Sequence, residues 1–267
     1  MIRAALAVAA LLALPIAAGA EEISFPAEDG ATLRAFHVPA ASGVPRRPTV
    51  VALHGCGGLA RPDQPLRLPA READWAARLT ALGHPMLFPD SFGSRGLGEA
   101  CGRADHPMRS EARRAGDARA ALAWVAGQPG EAPGGAFLIG WSHGGSTVLA
   151  TLGGAPREGM LRGAIAFYPG CGATLTGSPD WAAPVPLLML LGGADDWTPA
   201  RRCVALAERA PARVELRLFA GAHHMFDHPT QAPRTRSLPN GQTVTFGADP
   251  AAREAAIAAV TGFLAAR

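Results

Sequence analysis

The sequence predicts an α/β domain with a mostly parallel central sheet covered by helices on both faces. Three observations lead there. Short continuous apolar runs of strand length, "TVVAL", "PMLF", "AFLIG", "AIAFYP" and "PLLMLLG", recur along the chain, and uninterrupted apolar strands are those buried on both sides, as in a parallel sheet. Segments long enough for helices separate these runs, as crossovers between parallel strands require. A length of 267 residues, 48% of them hydrophobic, supports one sizeable core, and no repeat of solenoid length is visible.

The first twenty residues, "MIRAALAVAALLALPIAAGA", read as a cleavable export signal. Arg3 supplies the basic start, Pro15 interrupts the apolar run, and Ala18-Gly19-Ala20 offers small residues for cleavage after Ala20. The apolar run is shorter than the ~20 residues a membrane span needs, so no stable membrane insertion is expected after cleavage. Residues 21–267 then form a single domain in the periplasm or outside the cell. It begins with "ISFPAEDGATLRAFHVPA", two strands around a Glu28-Asp29-Gly30 turn, and "ASGVPRRP" links them to the strand at 49–53. There follow a helix near 70–82, a strand at 85–88, a longer helix over about 109–126, the strand "AFLIG" and a helix after Ser142. The strands "AIAFYP" and "PLLMLLG", a helix over about 199–210, the strand "RVELRLF" and a last helix, "PAAREAAIAAVTGFLAA", complete the series.

Two long segments, 90–108 and 227–249, break this rhythm, the second carrying Asn240-Gly241 as a hairpin turn. Both leave the carboxyl ends of predicted strands, where open α/β sheets bind ligands.

Charge and cysteine usage narrow the function classes. The formal net charge is +3 and every basic residue except histidine is arginine, so lysine Schiff-base and lysine general-base chemistry are excluded. The arginines are scattered, without the clustered footprint that nucleic-acid binding requires. Four cysteines permit three pairings. In an oxidising compartment the expected bridges are Cys56–Cys101 and Cys171–Cys203, each joining loops at one sheet edge.

The chemistry concentrates in "GWSHGG". Gly140-x-Ser142-x-Gly144 follows a strand and opens a helix, the context of a nucleophile elbow, in which a sharp turn lifts the serine hydroxyl clear of the sheet. A serine hydroxyl needs a base to take its proton and an acid to fix that base's tautomer. "GGADDWTP" offers Asp195, with Asp196 as its alternative. "AGAHHMFDH" offers His223, His224 and His228, so that the order Ser, Asp, His is met with each just past a strand. Oxyanion donors are expected from the backbone N–H of His143 and, in "LHGCGGL", of Cys56. His223, His224, Asp227 and His228 also have the spacing of metal ligands, but that reading leaves Ser142 and Asp195 without a role, so no metal and no cofactor are expected. Arg95, in the loop with Asp90, is a candidate pocket wall able to hold a substrate carboxylate, its alternative being an internal Asp–Arg pair; Trp141 and Trp197 are candidate pocket linings or packing residues.

With "VVALHGCGGL", "PMLFPDSFGSRG", "GWSHGG", "GGADDWTP" and "GAHHMF" in place, the chain resembles the dienelactone hydrolase family of α/β-hydrolases over most of its mature length. The resemblance implies the α/β-hydrolase fold and singles out His224, the histidine two before Phe226, as the base. Dienelactone hydrolases proper are cytoplasmic and carry cysteine where this chain has Ser142. The implied activity is therefore an exported serine hydrolase of carboxylic esters or lactones, with a small-molecule substrate. The alternatives are a peptidase or polyesterase using the same triad, or a non-catalytic binding module on the same fold. The sequence leaves the oligomeric state open.

Overall fold

In the computed structural model, which describes residues 20–59, 67–154 and 156–267, the apolar runs assemble into one eight-stranded sheet. The proposed export signal falls, but for Ala20, outside the described residues. β1 (Glu21–Pro26) and β2 (Thr32–Val38) form the expected antiparallel pair, the turn closing through Gly30 at φ +81°. The chain continues through β3 (Val50–Leu53), α1 (Ala70–Ala81), β4 (Met86–Pro89), a 3₁₀ turn (Gly93–Arg95), α2 (Arg113–Ala126), β5 (Ala136–Trp141), α3 (His143–Gly153) and β6 (Leu161–Phe167). It ends with α4 (Gly172–Gly177), β7 (Leu187–Gly192), α5 (Arg201–Ala207), β8 (Val214–Phe219), β9 (Arg234–Ser237), β10 (Thr243–Phe246) and α6 (Pro250–Ala265).

The sheet order is β1-β2-β4-β3-β5-β6-β7-β8. β2 runs antiparallel to both neighbours and the strands from β4 to β8 are mutually parallel, the architecture of an α/β-hydrolase. The carboxyl ends of β3, β5, β6, β7 and β8 therefore open on a single edge, where side chains distant in sequence can meet.

Alternation along the strands divides the core in two. Val51, Leu53, Leu138, Leu187 and Met189 pack with Ala118, Leu122, Val148, Leu149 and Leu206 of α2, α3 and α5. On the opposite face Val50, Ala52, Phe137, Ile139, Leu188 and Leu190 meet Trp75 and Leu79 of α1 and Val260 and Phe263 of α6. Burial on both sides explains why these strands read as unbroken apolar runs. β8 is an edge strand, as β1 is at the other side, and each of its side chains is intermediate or exposed.

The structure differs from the sequence reading at several ends. α2 starts at Arg113 rather than 109, and α5 stops at Ala207. The six-residue α4, "GATLTG", has too few apolar positions to show a helical period. The segment 227–249 carries β9 and β10, a hairpin in which Gly241 takes φ +83° beside Asn240. Disulfides join Cys56 to Cys101 and Cys171 to Cys203, with Cα–Cα distances of 4.9 and 5.1 Å. No described helix is long and apolar enough to cross a membrane.

Candidate active site

Ser142 occupies the turn between β5 and α3 with φ 54° and ψ −115°, a backbone region that costs a non-glycine residue on the order of 1–3 kcal/mol. The surrounding backbone holds it there. Its N–H donates to the Phe167 carbonyl (3.0 Å), and its own carbonyl accepts from Ser146 N (2.9 Å). The flanking glycines are required by contact. A Cβ on Gly140 would overlap the Gly144 backbone, and one on Gly144 would overlap the carbonyl oxygens of Leu53 and His54. The G-x-S-x-G spacing is thus what allows β5, α3 and the end of β3 to approach closely enough to lift the hydroxyl above the sheet edge.

His224 and Asp195 reach this hydroxyl from the next loops. Ser142 Oγ lies 2.9 Å from His224 Nε2, and His224 Nδ1 lies 2.7 Å from Asp195 Oδ2. Both His224 and Asp195 are almost wholly buried. Asp195 Oδ1 accepts from the backbone N–H groups of Trp197 and Thr198, each at 2.9 Å, and the Thr198 hydroxyl lies 2.9 Å from Oδ2. Burial alone pushes this carboxyl up, but the hydrogen bonds from His224 and Thr198 prevail and hold it below the ordinary aspartate value. The imidazole is packed between Tyr168 and Trp197, with ring centroids 4.5 and 4.8 Å away. This arrangement fixes its plane and allows Nδ1 to donate to Asp195 while Nε2 faces Ser142.

The neighbouring candidates have other work. Asp196 accepts from Thr245 N (2.8 Å) and its carbonyl from Gln242 Nε2 (2.8 Å), tying the β9–β10 hairpin to the strand end. Asp227 is buried, with Oδ2 accepting from the indole N–H groups of Trp75 and Trp141, both at 2.8 Å, and Oδ1 from the Tyr168 hydroxyl at 2.6 Å. Among the described residues no three His, Cys, Asp or Glu side chains gather as a metal site.

The loop after β3 lies against the elbow. A Cβ on Gly55 would stand 3.8 Å from Ser142 Cβ and 3.6 Å from the Trp141 carbonyl oxygen, placing the Gly55–Cys56 segment beside the nucleophile. Cys56 is anchored both by its disulfide to Cys101 and by its carbonyl, which accepts from Ala100 N at 2.8 Å. His143, the other expected donor, opens α3.

A cleft of about 330 Å³ leads to Ser142 and His224, lined by Gly55, Cys56, Gly57, Gly58, Arg71, Trp197, Arg234, Arg236 and Phe246 among others. Two expectations are corrected here. Arg95 is not a pocket wall: its guanidinium is held by Asp117 (2.7 Å) and Asp29 (2.9 Å), away from the cleft. Its partner is not Asp90 either, whose carboxylate accepts from Gly93 N at 3.0 Å. Trp141 does not line the cleft, since its position in β5 turns the ring into the core against Phe167, where Asp227 takes its N–H. Trp197 does line it.

Several residues at the site were not singled out from the sequence. Thr198, just before the predicted helix over about 199–210, is a partner of the Asp195 carboxylate. Tyr168, at φ 34°, packs on His224. Arg71 reaches the cleft with its guanidinium 5.1 Å from the Trp141 ring centroid, 3.2 Å from the Tyr168 hydroxyl and paired with Glu72. Arg114 is buried behind the elbow. Helical spacing was the available signal for the last, since 114, 118, 121 and 125 lie on one buried face of α2.

A family model described as the dienelactone hydrolase family matches residues 33–267. No curated protein matches the chain. Solved structures with the same fold include a dienelactone hydrolase-like promiscuous phosphotriesterase, P91, from metagenomic libraries. It is 19% identical with a TM-score of 0.69, covering 92% of this chain and 97% of that one. Esterase 2 of Thermogutta terrifontis, solved phosphoramylated by tabun, is 22% identical with a TM-score of 0.64, covering 94% and 96%. An α/β serine hydrolase without a lid from Xanthomonas campestris is 18% identical with a TM-score of 0.56, covering 79% and 87%.

Proposed function

The chain belongs to the dienelactone hydrolase family, and from that premise we propose that it is an exported serine hydrolase that cleaves small carboxylic esters or lactones through an acyl-enzyme on Ser142. The observation that carries this reading is the pair of contacts linking Ser142 Oγ to His224 Nε2 at 2.9 Å and His224 Nδ1 to Asp195 Oδ2 at 2.7 Å. Export is supported by the two disulfides, which persist in oxidising compartments.

In this scheme Ser142 Oγ attacks the acyl carbonyl while His224 Nε2 takes the hydroxyl proton. The N–H groups of Cys56 and His143 receive the oxyanion, and Asp195 holds the imidazolium formed. Collapse of the tetrahedral intermediate breaks the bond to the leaving oxygen, which takes its proton from His224. Water then attacks the acyl-enzyme with His224 again as base, and the acid departs, regenerating Ser142. Every step uses side chains and backbone N–H groups of this site together with a water molecule from solvent.

Ser142→Ala should lower the kcat for p-nitrophenyl acetate by several orders of magnitude, because triad members act as a unit. Wild-type turnover in that variant would remove the mechanism.

A further inference from the structure

Arg114 is the most fully buried arginine among the described residues, 1% exposed. Asp117, an acid on its own helix, is committed to Arg95 at 2.7 Å, and Asp90 accepts from Gly93 N. Among the described residues Arg114 forms no ion pair, and its hydrogen bonds go to two neutral acceptors. Nη1 lies 2.6 Å from His143 Nδ1, and Nη2 donates to the His54 carbonyl at 2.8 Å. A guanidinium has no lone pair to offer, so Nη1 donates and the His143 ring must present its bare Nδ1. The ring is accordingly neutral: burial first, and the Arg114 charge second, push it down to about 3. Burial also lowers Arg114, to about 10, which leaves it charged at neutral pH. The Phe92 ring, 5.1 Å from its central carbon, offsets part of the desolvation.

A buried guanidinium with no carboxylate in contact, on which Asp117 and Asp90 act only from a distance, is costly, and its two partners indicate what it does. His143 follows the nucleophile, and its backbone N–H is one expected oxyanion donor. His54 opens the segment just after β3, two residues before Cys56, the other expected donor, and its ring Nδ1 is itself 2.8 Å from the Gly55 carbonyl. We propose that Arg114 is a positioning residue for the oxyanion site. The rigid fork of its terminal nitrogens fixes the separation between the His143 turn and the His54–Cys56 segment, and so the separation of the two N–H groups that receive the developing negative charge. Arg114 touches neither substrate nor reacting atoms; it acts through the two loops. The role rests on the Ser142 ester-hydrolase reading.

The test compares wild type, Arg114→Met, His143→Leu and the double variant. It measures kcat and KM for p-nitrophenyl acetate per folded molecule, with near-UV circular dichroism setting the folded fraction, and the affinity for a trifluoromethyl ketone, which mimics the tetrahedral intermediate. Displacing an oxyanion donor should lower kcat on the order of 10²-fold with KM nearly unchanged. Ketone affinity should fall by the same factor as kcat/KM, and the double variant should be no worse than Arg114→Met alone. Folded Arg114→Met with wild-type kcat, or with a lowered kcat but undiminished ketone affinity, would overturn the role. If Arg114→Met does not fold, His143→Leu, which breaks one arm of the clamp, decides in the same way. A folded wild type without Ser142-dependent turnover would refute the functional reading and this role together, whereas an active wild type with an unaffected Arg114→Met refutes this role alone.

Discussion

Replacing Asp195 with asparagine tests the triad at the point where its hydrogen bonds allow no substitute. The carboxylate only accepts: Oδ1 takes the Trp197 and Thr198 N–H groups and Oδ2 faces His224 Nδ1 at 2.7 Å. An amide has one oxygen and one NH₂ for these two places. If its oxygen stays with the two backbone donors, the NH₂ faces His224 Nδ1, which must give up its proton to accept from it. The imidazole then carries its proton on Nε2, facing Ser142 Oγ, and can no longer act as base. If the amide flips, NH₂ meets two backbone N–H groups, a worse conflict, so the first orientation prevails. The fold should survive, since the two pairs at Oδ2, with His224 Nδ1 and with the Thr198 hydroxyl, merely reverse, and that hydroxyl can still donate to the Tyr168 carbonyl at 3.0 Å. Activity should fall about 10⁴-fold in kcat, the loss known for this tautomer error in triads, equivalent to about 5.5 kcal/mol of activation free energy. The assay is p-nitrophenyl acetate hydrolysis at pH 7.5, with thermal unfolding as the control for folding. A stable Asp195→Asn enzyme within tenfold of wild type would refute the argument that Asp195 sets the tautomer of His224.

Two further outcomes follow from the same contacts. His143, neutral in the folded chain and pushed down to about 3 by burial beside Arg114, with His106 and Arg109 adding to the same effect, takes up its proton more readily when unfolded. Its ordinary value is near 6.5, so the unfolded chain binds more protons between about pH 3 and 6.5. The stabilisation is complete above 6.5 and is lost as pH falls toward 3. From pH 7.5 down to 4.5 that loss is about 2.7 kcal/mol, the slope approaching about 1.4 kcal/mol per pH unit once the unfolded imidazole is mostly protonated. Urea unfolding of wild type and His143→Leu at pH 7.5 and 4.5 should show a larger acid loss in the wild type; parallel losses would contradict a neutral, buried His143. Reduction of the disulfides should also be felt. Cys56–Cys101 spans 45 residues, for which the chain-entropy relation gives about 4 kcal/mol, and its opening frees the loop that carries an expected oxyanion donor. Cys56→Ala/Cys101→Ala should therefore lose both stability and kcat, whereas loss of Cys171–Cys203 should affect stability alone. Unchanged kcat in the first pair would detach the bridge from the site.

How far the sequence reveals the molecule depends on whether neighbours in space are also neighbours in pattern. The parallel strands were legible because burial on both faces leaves an unbroken apolar run, as in "PLLMLL". Ser142 was legible because the close approach of Gly140 and Gly144 to surrounding backbone demands glycine at fixed spacing. Asp195 and His224 follow strand ends, which the α/β layout brings to one edge. Arg95 was misread because its partners, Asp29 and Asp117, are 66 and 22 positions away, and no local period reports them. Trp141 is a different case: it shares strand parity with Phe137 and Ile139, both in the core, so alternation along β5 carried the signal. Asp227 lies close to His224 in sequence, yet its role is set by Trp75 and Trp141, 152 and 86 positions away.

The most direct measurement is intact-protein and peptide mass spectrometry after treatment with a fluorophosphonate probe, run alongside loss of ester hydrolysis. A single adduct is expected, on the peptide containing Ser142, that accumulates in step with the loss of activity and is absent from Ser142→Ala. Activity that disappears with the label on another residue, or that persists once Ser142 is fully modified, would contradict it.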